Sequence, residues 1–403
     1  MSQDVFLLQE KGRGANYSYL CNMKWFFLSM TLIVAVPDAY IFATLIAGHA
    51  PALWAAAWWV PTAVIMGLLV SLLGRYRLGR LRAFFALFSL ISVPKLAFAV
   101  FALLGQVTGL PCQGIAVGLC AVVVVLLAVL YGATLGCSKL KVNNYDLDYD
   151  DLPPECDGLR LVQISDFHLG TYGHSNRFVG KVVDTVLGLN PDLIVFTGDL
   201  INVDEHEVTP HTHELQRLKA PLGVYSIMGN HDYNGNVTAL EDYERNTLGW
   251  DLLLNENRVL CRSTAPGSNV ASAPVYLIGV QNTSYAVFVS RGNLRQAMQG
   301  VPAGAFKILL THDPNHWRHE VVPRTSIQLT LSGHTHAGQL RIGNWSPIQY
   351  TYPEWGGLYN DAQHGLGGSG KRMLLVSSGI GGTNHFRLGA WPEVNLVILH
   401  RKK

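Results

Sequence analysis

At 403 residues the chain is long enough for more than one structural unit, and its charge is spread unevenly. Residues 1–141 hold ten of the 30 Lys and Arg but only three of the 28 acids (Asp4, Glu10, Asp38), which leaves 142–403 about five charges negative. That sign argues against nucleic-acid binding by the second part, and six cysteines without paired spacing argue against a disulfide framework or a thiolate metal site.

Four apolar stretches, 25–47, 52–73, 83–104 and 112–136, each match the roughly 20 residues that a helix needs to cross a bilayer. The first is too long for a cleavable signal peptide, and three more follow it. The sequence therefore predicts a transmembrane bundle over 1–141. Lys11, Arg13 and Lys24 precede the first span, Arg75, Arg77, Arg80 and Arg82 separate the second from the third, and Lys139 and Lys141 follow the fourth. Loops 48–51 and 105–111 carry no Lys or Arg, so the charge bias puts both termini, and the domain that follows, in the cytoplasm. Asp38 and Lys95 interrupt the first and third spans just after Pro37 and Pro94. Both helices run in one direction under this topology, so the two charges meet at one depth and are expected to pair.

Residues 142–157 are acidic and Pro-containing and read as a linker, a solvated tether with room for one edge strand through Leu147 and Tyr149. From 158 to 403 apolar runs alternate with helical patterns. Strands are expected at 159–164, 193–197, 223–228, 252–260, 275–280, 307–311, 327–332 and 373–377, and helices at 177–189, 205–218 and 237–248. This order suggests α/β layers with mixed sheets.

Five polar fragments each stand directly after an apolar run, where active-site groups of α/β proteins belong. They are Asp166-x-His168, Gly198-Asp199, Gly229-Asn230-His231-Asp232, Thr311-His312-Asp313 and Gly333-His334-Thr335-His336. Carboxylate, imidazole and amide without thiolate suit Mn, Fe, Zn or Mg. Seven or more donors exceed what one ion uses, so two divalent ions sharing a carboxylate is the natural count. Pro210-His211-Thr212-His213 imitates the last fragment but sits in a polar helical segment and reads as solvated surface. His385 reads as structural.

Taken together and in order, the five fragments resemble those of the calcineurin-like metallophosphoesterase superfamily. The resemblance covers about 158–399. Ile164–Gly170, Gly333–Gln339, Gly357-Leu358-Tyr359, Arg387-Leu388-Gly389 and Pro392-Glu393 are similar to its membrane-associated branch, which includes bacterial proteins similar to YaeI and YkuE and the transmembrane-domain metallophosphoesterases of animals. The chain departs from that branch at Gln281-Asn282, where acidic residues are expected.

The resemblance implies a four-layer αββα sandwich after the four-helix bundle. It implies that Asp166, His168 and His336 hold one ion, that Asp199 bridges, and that Asn230, His312 and His334 hold the second, with Mn favoured. His231 would contact the phosphate and protonate the leaving oxygen, Asp232 would orient it, and a metal-bridging hydroxide would attack phosphorus. Asn230 and Arg387 are expected to touch the substrate. The implied function is a membrane-anchored phosphodiesterase or pyrophosphatase acting on a phosphorylated small molecule or a lipid-linked, nucleotide-linked substrate such as UDP-2,3-diacylglucosamine. The alternative is a signalling or scaffold protein whose domain binds but barely turns over its ligand. The aromatic, Gly-rich stretch 341–372 is either a lid over the metals or an ordinary packed loop.

Overall fold

A computed structural model of the protein describes residues 27–72, 78–261, 274–285, 288–362 and 371–402. Lys11, Arg13, Lys24, Arg75, Arg77 and the glycines at 365, 367, 368 and 370 lie outside the described residues. The chain divides into two compact units, Met1–Thr134 and Leu135–Lys403.

Among the described residues, four helices are long and apolar enough to cross a membrane: Phe27–Ile46, Ala52–Ser71, Leu78–Val107 and Pro111–Ser138. The third starts earlier than its apolar run, because Arg80 and Arg82 continue the helix. Val34, Ile65, Leu69 and Phe84 pack one buried cluster in this unit, and Ile41, Phe98, Ala99 and Ala102 a second. The expected pair forms: Lys95 Nζ lies 2.7 Å from Asp38 Oδ1, and Thr62 donates its hydroxyl to Oδ2. The Trp58 ring covers the ammonium at 4.2 Å.

Among the described residues, the second unit is built on twelve strands: β1 (Lys141–Tyr149), β2 (Leu159–Ile164), β3 (Leu193–Phe196), β4 (Val224–Ser226), β5 (Asp251–Leu252), β6 (Glu256–Cys261), β7 (Val275–Gly279), β8 (Phe306–Leu310), β9 (Leu329–Ser332), β10 (Gly357–Asn360), β11 (Met373–Val376) and β12 (Glu393–Arg401). One sheet has the order β1-β12-β2-β3-β4-β5 and the other β10-β11-β9-β8-β7-β6.

Alternation of side chains along the strands makes the layers. Leu161, Leu193 and Val195 meet Leu277, Ile308, Leu310, Leu329 and Leu331 between the sheets. Val162, Ile164, Ile194 and Phe196 point the other way, onto Val179, Val182, Val183 and Val186 of the helix Asn176–Gly188. On the far side of the second sheet, Ile278, Leu309 and Val376 bury Leu294, Ala297, Trp317 and Val321. Helix, sheet, sheet and helix give the four-layer αββα sandwich expected above.

The edge strand allowed for in the acidic stretch forms: β1 pairs in parallel with β12 from Lys141–Glu393 to Tyr149–Arg401. Two other local expectations need correction. Segment 205–218 is not one α-helix but a 3₁₀ run, Glu205–His211, and a short α turn, Thr212–Leu215, because Pro210 lacks the N–H that an α-helix needs there. Within it His211 is buried, its Nδ1 2.5 Å from Asn176 Oδ1, so it is not solvated surface.

Candidate metal centre

Each of the five fragments follows a strand: β2, β3, β4, β8 and β9 end at 164, 196, 226, 310 and 332. The parallel strands therefore deliver Asp166, His168, Asp199, Asn230, His231, His312, His334 and His336 to one edge of the sandwich. The backbone there is unusual. Asp166, His168, Asp199, His334 and His336 all have positive φ, between 48° and 74°. Such conformations cost about 1–3 kcal/mol each for residues with a Cβ and persist where the surroundings impose them for function. Gly198, at φ +94°, lets the strands close: a Cβ there would lie 2.5 Å from the Gly229 nitrogen and 2.9 Å from His312 Nδ1.

Two groups of donors result. Asp166, His168 and His336 form one, Asp199, His312 and His334 the other, and within each the donor atoms lie within 4.8 Å of one another. In the first, His168 Nε2 is 3.2 Å from His336 Nε2, and Asp166 Oδ1 is 3.6 Å from His336 Nε2. Asp199 joins them, with Oδ2 3.4 Å from His168 Nε2 and 3.2 Å from His312 Nε2. His231 also reaches Asp199 and His168, its ring edge-on to that of His168.

These residues fit cations. His312 Nδ1 lies 2.8 Å from the Thr197 carbonyl, to which only an N–H can bond. Its Nε2 then faces two oxygens, Asp199 Oδ2 and Asn230 Oδ1 at 3.1 Å, an arrangement that needs a proton or a metal ion between them. Among the protein groups alone a proton serves: burial opposes it, but the Asp199 carboxylate holds the His312 imidazolium up to about 10. Burial and then His231 push His168 down to about 3, and burial and then His312 do the same to His334. These imidazoles are thus neutral, the form that ligates metals. Burial works against the Asp199 carboxylate, yet the surrounding imidazoles, His312 first, keep it well below the usual range.

The segment of the chain over residues 159–338 matches the Calcineurin-like phosphoesterase family. The metallophosphoesterase YkuE of Bacillus subtilis is 32% identical over 277 residues, spanning 67% of this chain and 88% of YkuE. This chain belongs to the calcineurin-like metallophosphoesterase family. Its members are metal-dependent phosphoric ester hydrolases, and their divalent-metal chemistry suits the Asp and His groups described above. A second relative, the zebrafish (Danio rerio) transmembrane protein with metallophosphoesterase domain, is 31% identical over 69% of this chain and 62% of its own length. The UDP-2,3-diacylglucosamine pyrophosphatase LpxG of Chlamydia trachomatis is 28% identical over 60% of this chain and 83% of its own.

Within this metallophosphoesterase site two residues have places other than those expected. Asp232 does not touch the His231 ring. It is fully buried and accepts four backbone N–H groups, those of Asp199, Leu200 and Gly229 at 2.8 Å and Ile201 at 3.2 Å, which ties the β3 and β4 loops together. The carbonyl of Asn202, 2.8 Å from His231 Nδ1, orients that ring and leaves Nε2 as its other polar atom. Arg387 is buried, not open to a phosphate. Its guanidinium bonds the carbonyls of Ser378 at 2.7 Å, Ala390 at 3.1 Å and Gly381, beneath His336.

Sequence reasoning missed Asn202, and placed Tyr352 only among the aromatics of 341–372. The Asn202 amide lies 3.3 Å from His168 Nδ1, and the Tyr352 hydroxyl 2.8 Å from His334 Nε2, which leaves Nδ1 of His334 for the Asp199 side. The aromatics of 341–372 were visible in the sequence, but not which of them reaches a histidine. Gln281 accepts from the Tyr233 hydroxyl at 2.9 Å, and the Asn282 amide donates to the Val289 carbonyl at 2.6 Å, so this departure from the branch builds the loop beside Phe288, whose ring stands edge-on to His334.

Proposed function

We propose that the protein is a membrane-anchored, two-metal phosphohydrolase that cleaves a phosphodiester or pyrophosphate bond in a membrane-associated or nucleotide-linked substrate. The observation that carries the reading is the position of Asp199, whose carboxylate stands between two donor groups. Asp166, His168 and His336 would hold one divalent ion, Asn230, His312 and His334 the other, and Asp199 both. Such ions, Mn among them, supply Lewis acidity to phosphoryl oxygens and lower the pKa of water.

The protein's own contribution lies around them. His231, with Nδ1 engaged by the Asn202 carbonyl, presents Nε2 to the site and can donate a proton to the leaving oxygen. The Asp199 carboxylate also takes the His231 backbone N–H at 2.7 Å, which fixes the donor relative to the metal groups. Asp232 keeps the two loops at constant separation. The LpxG likeness and the four spans favour a lipid-linked substrate. The basic flanks of the spans favour a cytoplasmic site, and reporter fusions after residue 141 and at the C-terminus report the side directly.

The test uses the purified full chain, stripped of metal and reloaded with Mn. Bound metal is counted, and turnover is measured on bis-p-nitrophenyl phosphate, p-nitrophenyl phosphate and a UDP-linked glycolipid. The reading expects about two ions and metal-dependent turnover, both reduced in Asp199→Ala, while His231→Ala keeps the metal and loses about 10²–10⁴-fold in rate. Two bound ions without turnover on any of the compounds would favour the ligand-binding, signalling alternative.

A further inference from the structure

Directly after the fourth span the chain enters a cleft built wholly within the second unit. Its volume is about 460 Å³, and Lys139, Lys141, Arg341, Trp391 and Glu393 line it. Three cations thus face one carboxylate, and that carboxylate is engaged elsewhere. Glu393 Oε1 accepts the Ser378 N–H at 2.8 Å and Oε2 accepts the Asn143 amide at 2.9 Å. The cations rest on aromatic faces: Lys139 Nζ lies 4.7 Å from the Trp391 centroid, and the Arg341 guanidinium 5.2 Å from that of Trp355. Lys139 and Lys141 remain exposed.

The cleft is held open by its own backbone. Arg341 donates its N–H to the Leu388 carbonyl at 2.8 Å and its Nε to the Gly343 carbonyl at 2.8 Å. Gly389, at φ +75°, permits that approach, since any Cβ there would collide with the Arg341 carbonyl. Arg341 is followed in the chain by exposed Ile342 (64%) and Trp345 (40%), and it lines an adjoining cleft together with Tyr350, 80% exposed. Lysines with exposed Trp and Tyr are the composition of a membrane–water interface.

Connectivity adds the third argument. The span ends at Ser138, and a chain advances at most about 3.6 Å per residue, so Lys139 and Lys141 stand within about 11 Å of its end. We propose that this cleft binds the phosphate of an anionic phospholipid headgroup. Such a site is separate from the donor groups of the metal centre and independent of hydrolysis.

The test uses the full chain in mild detergent and native mass spectrometry, with phosphatidylglycerol or phosphatidylcholine added. The wild type should retain phosphatidylglycerol in preference. Lys139→Glu with Lys141→Glu should weaken that retention by at least about tenfold, on the scale of about fivefold per juxtamembrane cation. Retention of phosphatidylcholine should not change. Turnover of a soluble phosphodiester by the variant checks its fold, and Lys139→Gln with Lys141→Gln replaces it if the reversal does not fold. Equal phosphatidylglycerol retention by the variant overturns the proposal. Displacement of the lipid by millimolar inorganic phosphate would reassign the cleft to free phosphate and overturn the lipid assignment.

Discussion

The Asp232 carboxylate accepts the backbone N–H of Asp199 at 2.8 Å, so the residue between the two donor groups is held by an acid from the neighbouring loop. Asp232→Asn turns an NH₂ toward backbone donors and leaves buried N–H groups unpaired. We expect a loss of roughly 2–5 kcal/mol in stability and a 10–100-fold loss in metal affinity, read from thermal unfolding and metal titration. Normal unfolding with lost turnover would instead give Asp232 a role in proton transfer.

Tyr352→Phe removes only the hydroxyl that meets His334 Nε2. Affinity for the ion that His334 would hold should fall about tenfold while the fold and binding of a second ion are kept. Competition against a fluorescent chelator measures both ions in one titration. Two equal losses would contradict the pairing.

Arg387→Met should lower stability by about 3 kcal/mol, since it strands the carbonyls of Ser378, Ala390 and Gly381, and should leave KM unchanged. A raised KM without loss of stability would return Arg387 to the substrate.

Glu244 is fully buried, and burial first, then the nearby Asp232 charge, raises its carboxyl from 4.5 to about 8. The folded chain therefore binds this proton more tightly than the unfolded chain does. Its contribution to stability is complete below about pH 4.5 and is lost as pH rises to about 8. Glu244→Gln should flatten that decline in the difference between the two unfolding curves. Parallel curves would show that Glu244 is not the group responsible.

In the membrane unit, Asp38→Leu or Lys95→Leu alone leaves one charge without its partner and should destabilise by about 3–5 kcal/mol, whereas the double substitution should recover most of the loss. Unfolding in detergent separates the cases. Additive losses would show that the 2.7 Å pair couples weakly.

The site was legible where its signal is local. An apolar run, a small residue and a His or Asp stand together in the sequence because a strand must end before its ligand can turn into the cleft, as at Leu329–Ser332 and His334. The αββα layers followed the family likeness. What stayed hidden depends on distant backbone. Nothing near Asp232 announces that its carboxylate will collect N–H groups from residues 199–201. Nothing near Arg387 shows that carbonyls will enclose it. In 141–149 the edge strand was legible from Leu147 and Tyr149, which are buried in alternation with the outward-facing Asp146 and Asp148.

The position of β12 bears on the order of folding. It is the last of the described strands in sequence, yet it lies between β1 and β2, paired in parallel with one and antiparallel to the other. During synthesis the four spans and β1 are made some 250 residues before the strand that β1 must pair with. The first sheet therefore cannot close until residues near 400 have left the ribosome, and contacts of such long separation form slowly. Until then β1, which follows the last span directly in the chain, has an open edge. Its alternating Asp146 and Asp148 are the kind of charge that keeps an unpaired edge from joining another chain.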